Sequence, residues 1–71
     1  MMKPEYLLRQ CLHLLDGLPR QIDPEIIKEI EGIRGEVRAM LLQCQNGNEQ
    51  IAKAALEMTI GPRIDNLINR L

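Results

Sequence analysis

IDPEIIKEIEGIRGEVRAMLLQCQNG, residues 22–47, decides the fold. Ile26, Ile30, Ile33, Val37, Met40 and Cys44 recur at spacings of 4, 3, 4, 3 and 4. That is the period of a helix whose apolar seam packs on other helices. Asp23-Pro24-Glu25 supplies the start. The carboxylate can accept from a free N–H of the first turn, and proline is preset for it. Ile22 and Ile27 have the spacing of a hydrophobic staple across that start. Gln45-Asn46-Gly47-Asn48 supplies the stop, with Gly47 or Asn46 able to turn left-handed. The helix predicted over 24–45 is ~33 Å long at 1.5 Å per residue. A compact chain of this length has a radius of gyration of only ~11 Å. The helix must therefore span the molecule, and the bundle around it must be elongated.

Two further helices are predicted outward from that one. Residues 4–16 begin at Pro4-Glu5 and end at Asp16-Gly17. Their apolar residues come in pairs: Leu7 and Leu8, Cys11 and Leu12, Leu14 and Leu15, with Leu18 beyond. So wide an arc serves two neighbours, or one neighbour and another subunit. Gly17, expected to take a left-handed conformation, and Pro19 mark the reversal to the central helix. Residues 49–70 form the third helix, with Asn48 as its expected cap. Its apolar residues are Ile51, Ala54, Ala55, Met58 and Ile60, then Ile64, Leu67, Ile68 and Leu71, the last expected to dock. Gly61-Pro62 interrupts it. Proline removes a helical hydrogen bond and crowds the preceding turn, so a kink or split is expected there. The prediction is one all-α domain over residues 1–71: a helical hairpin plus a third helix kinked or split at Gly61-Pro62.

Composition narrows the function classes. The core must be aliphatic, because 9 Ile and 11 Leu stand against one Tyr and no Phe or Trp. A single core in a chain below ~80 residues supplies only ~3–5 kcal/mol, which favours burial against a partner. A homodimer or stable hetero-complex is therefore expected. Basic and acidic residues number 9 and 10 and are interspersed, giving a net charge of -1. A nucleic-acid binder shows a clustered basic excess instead. No apolar run reaches the ~20 residues of a membrane span. The first residues, Met-Met-Lys-Pro-Glu, lack a secretory apolar region, so a cytoplasmic protein is expected. Cys11 and Cys44, with His13 as the sole histidine, match no zinc framework, and no cofactor is predicted. The thiols fall on apolar stripes and read as buried free cysteines. His13 reads as a boundary or surface residue.

The candidate interaction face combines two sets of residues. Gly32, Gly35 and Ala39 form a second stripe on the central helix, flanked by Glu31, Arg34 and Arg38. Small residues permit close approach of another helix backbone. Glu31 and Arg34 have i, i+3 pairing distance. Leu8, Leu12 and Leu15 of the first helix are the second set. The function expected from these faces is that of a small interaction module: an adaptor, co-chaperone or regulator that packs helices with itself or with a partner protein.

Two alternatives involve other chemistry. Ile64-Asp65-Asn66-Leu67-Ile68 resembles the Leu-Asp-x-Leu-Ile element of the small helical aspartyl-phosphate phosphatases that act on sporulation response regulators. The resemblance covers residues 64–68, with Pro62-Arg63 where that family has Ser-Gln, and it does not assign the chain to the family. It implies a phosphatase-like modulator acting through Asp65. Read without the resemblance, Asp65 complements the dipole at a helix start. The other alternative is a dimeric nucleic-acid regulator with Arg34 and Arg38 repeated across a two-fold axis.

Overall fold

The computed structural model describes residues 3–71. Met1 and Met2 lie outside it. Helix α1 covers Pro4–Asp16, α2 Pro24–Gln45 and α3 Glu49–Ala55; a π segment, Leu56–Ile60, leads directly into α4, Gly61–Arg70. No strand occurs among the described residues. Helices α1 and α2 form the hairpin, and α3, the π segment and α4 together form the third rod. The envelope is 37 × 18 × 17 Å, with a radius of gyration of 12.2 Å. The long axis is little more than the length of α2.

The ends of α2 are set by local chemistry. Asp23 Oδ1 accepts from the Glu25 N–H at 2.9 Å. At the other end Gly47 has φ 85°. The Asn48 N–H donates to the Gln43 carbonyl at 2.8 Å and the Gly47 N–H to the Cys44 carbonyl at 3.1 Å. This nested pair satisfies carbonyls that the helix leaves open, and the left-handed glycine makes it possible. Three other end signals have a different outcome. Ile22 is 92% exposed, so it staples nothing, and Ile27 is exposed too. Gly17 stays right-handed, with φ −87°, because its N–H simply continues to the His13 and Leu14 carbonyls. The Asn48 side chain does not cap α3; it donates from Nδ2 to Gln43 Oε1 at 2.8 Å.

At Gly61-Pro62 the third helix is joined from pieces, as the sequence predicts, and the join is a π turn. The Gly61 N–H donates to the Leu56 carbonyl, five residues back, and the backbone stays right-handed throughout. Widening one turn by a residue gives the Pro62 ring the room an α-turn would deny it. This extra residue also resets the buried face. Ala52, Ile60, Ile64 and Leu67 are buried. Ala52 and Ile60 are eight residues apart, one more than two α-turns, and the π turn absorbs the excess. Ile51, Ala54 and Met58, expected on the packed stripe, are exposed, because Ala52 and Ile60 take the inward face. Because the rod is continuous, Asp65 meets no free helix start, and the dipole reading of it does not apply. Leu71 is exposed rather than docked.

The core joins Leu8 and Leu15 of α1 to Ile26, Ile33 and Val37 of α2 and to the four residues of the third rod. Ile30, Met40 and Cys44 of the seam are half-buried against it.

Candidate interaction surface

Two side-chain clusters fasten the helices and thereby decide which faces stay open. Arg63 of α4 reaches across α2. Its Nε donates to Glu29 Oε1 at 3.1 Å and its Nη1 to Glu36 Oε2 at 2.7 Å. Partial burial alone would lower the guanidinium pKa; the two carboxylates outweigh that and hold it above its ordinary value. On the opposite flank of α2, Arg34 Nη1 donates to Asp16 Oδ1 at the end of α1. Glu31 is therefore not the partner of Arg34, contrary to the i, i+3 expectation. Arg34 Nε is buried with no hydrogen-bond partner.

These contacts redistribute the predicted face. Gly32 is occupied from within: a Cβ built there would stand 3.1 Å from Arg63 Nη2. Arg34 is held by Asp16. Leu8 and Leu15 lie in the core, closed to a partner, and Leu12 is half-buried against it. The double stripe of α1 splits instead. Leu8 and Leu15 turn inward, while Leu7 and Leu14, also seven apart, remain exposed. Gly35, Ala39, Glu31 and Arg38 are exposed, and nothing stands within 4 Å of a Cβ built at Gly35.

The sequence reading missed Leu42. It is 56% exposed and extends the outer stripe, since 32, 35, 39 and 42 continue the 3, 4, 3 spacing. The signal was present but was hidden by Leu41, which packs half-buried on the core. Ile51 of α3 and Met58 of the π segment are large apolar residues left exposed on the third rod. A groove of about 420 Å³ runs between α1 and α3, floored by Pro4, Leu7 and Leu56 and rimmed by Glu49, Lys53 and Glu57.

The remaining singled-out residues carry little chemistry. Cys11 and Cys44 are free and half-buried rather than fully buried. Desolvation raises both thiol pKa values, with Glu49 and then Glu5 adding to the effect at Cys44. His13 is exposed. Asp65 is exposed and makes no ion pair among the described residues. No group of three or more potential metal ligands occurs among the described residues. No helix there is long and apolar enough to cross a membrane. Comparison with protein families, with curated proteins and with solved structures returns no match for this chain.

Proposed function

We propose that this chain is a small helical protein–protein interaction module. One observation carries the reading. Among the described residues, nine apolar side chains are buried, whereas ten large apolar ones, including Leu42, Ile51 and Met58, stay exposed. Scattered exposed leucines are ordinary on a protein surface. Here Leu7 and Leu14 keep helical order on α1, as residues do on a face that meets another helix, and Ile51 and Met58 stand exposed on the third rod. The mechanism is burial of those side chains against a partner, with neighbouring charges choosing which partner fits.

The mass of the native species purified from its source tests this. A species heavier than the 8.1 kDa chain, lost when Leu42→Glu, Ile51→Glu and Met58→Glu are introduced together, supports the module. A species at the mass of the chain alone overturns it.

A further inference from the structure

We infer that the outer face of α2 docks against the same face of a second copy of this chain, antiparallel, with Glu31 of each copy beside Arg38 of the other. This rests on the interaction-module reading and names its partner.

The face is a seam in its own right. Lys28, Glu31, Gly35, Arg38 and Leu42 follow one another at spacings of 3, 4, 3 and 4, and all are exposed. They lie behind the Ile26-to-Cys44 seam that the bundle uses. From Lys28 to Leu42 the face is ~21 Å long at 1.5 Å per residue.

The charges on it are self-complementary. Three charged groups of α2 are already paired within the chain: Arg34 with Asp16, and Glu29 and Glu36 with Arg63. Glu31 and Arg38 make no ion pair among the described residues. They stand on either side of Gly35, four residues before it and three after. A two-fold axis near Gly35 therefore sets Glu31 beside the partner's Arg38 twice over. The same axis sets Leu42 over the aliphatic stem of the partner's Lys28. A parallel pairing would instead oppose Glu31 to Glu31 and Arg38 to Arg38, which like charges disfavour. Open space at Gly35 leaves the two helices free to approach where they cross. An unrelated partner has no reason to match a pattern that already matches itself. One helix face is well below the ~800 Å² per partner of a standard interface, so the association is weak and sensitive to salt.

Sedimentation equilibrium of the purified full chain over a wide concentration range is the test. The mass rises from 8.1 kDa towards twice that value. Glu31→Arg and Arg38→Glu each weaken association by about tenfold or more, through like-charge contacts. Mixing the two single variants restores it, because each supplies the charges the other lacks. The double variant, Glu31→Arg with Arg38→Glu, also associates. Circular dichroism shows unchanged helicity, since both residues are exposed. A wild-type chain that stays at monomer mass, or a mixture no tighter than its components, overturns the inference. If the purified chain is monomeric while the native species is heavier, self-docking fails and the interaction module stands. If both are monomeric, both fail.

Discussion

Arg63 lies against Gly32: a Cβ at position 32 would meet its Nη2 at 3.1 Å, while the same guanidinium holds Glu29 and Glu36. The two carboxylates flank the glycine at three and four residues' distance on α2. The absence of a side chain between them gives the arginine its seat.

Helix propensity favours alanine over glycine by ~1 kcal/mol. At Gly32 that gain meets a guanidinium that must give way, so Gly32→Ala changes stability by less than ~0.5 kcal/mol. Gly32→Leu displaces Arg63 and destabilises by ~1–2 kcal/mol, as does Arg63→Ala, through loss of charge-assisted hydrogen bonds. Urea unfolding of the three variants gives the ranking. If Gly32→Leu is as stable as wild type, the seat is not structural.

Gly61 and Gly35 are both helical glycines with opposite surroundings. A Cβ at Gly61 would meet the Leu56 carbonyl oxygen at 2.7 Å, and backbone cannot easily move. Gly61→Ala is expected to destabilise by ~1–3 kcal/mol through disruption of the π turn. Gly35 has open space, so Gly35→Ala stabilises by ~0.5–1 kcal/mol in the dilute chain. Thermal unfolding at low concentration compares them; shifts of the same sign would contradict the contrast.

The two expected caps separate in the same way. Asp23 accepts from the first turn of α2, and Asp23→Ala costs about 1 kcal/mol. The Asn48 side chain makes no cap bond, and Asn48→Ala loses only an exposed contact with Gln43, worth less than ~0.5 kcal/mol. Equal losses in denaturant midpoint would show that Asn48 caps α3 in solution.

Both thiols bind their protons more tightly in the folded chain than at the ordinary value of 9.0. Their contribution to stability is therefore complete below that value and declines as pH rises through the higher folded values. Unfolding free energy measured from about pH 8 to about pH 11 should fall more steeply for wild type than for the Cys11→Ala, Cys44→Ala double variant. Alkylation near neutral pH should be slow until urea is added, because little thiolate is present. Identical slopes and rapid alkylation in the folded state would together contradict the assignment.

Much of this was legible in order of residues alone. The 4, 3, 4, 3, 4 seam, Asp23-Pro24 and Asn46-Gly47 define α2 through local hydrogen bonds and a period that no other secondary structure satisfies. Helix ends at 4, 16, 24 and 45 follow from the same local rules. Which apolar stripe turns inward was not local. Leu7 and Leu8 are equivalent in propensity, and only packing against α2 chose Leu8 and Leu15. At Gly61-Pro62 the sequence announces a disturbance, but kink, break and π turn all relieve the proline. The choice fell to the third rod's need to keep Ala52 and Ile60 on one buried face. The charges show the same division. Spacing offers Arg34 to Glu31, yet Asp16, 18 residues away, is brought to it by the hairpin. Arg63 finds its carboxylates 27 and 34 residues back. Local chemistry sets helices and their limits because each involves neighbours in the chain; the free outer face of α2 emerges only after distant residues have taken their partners.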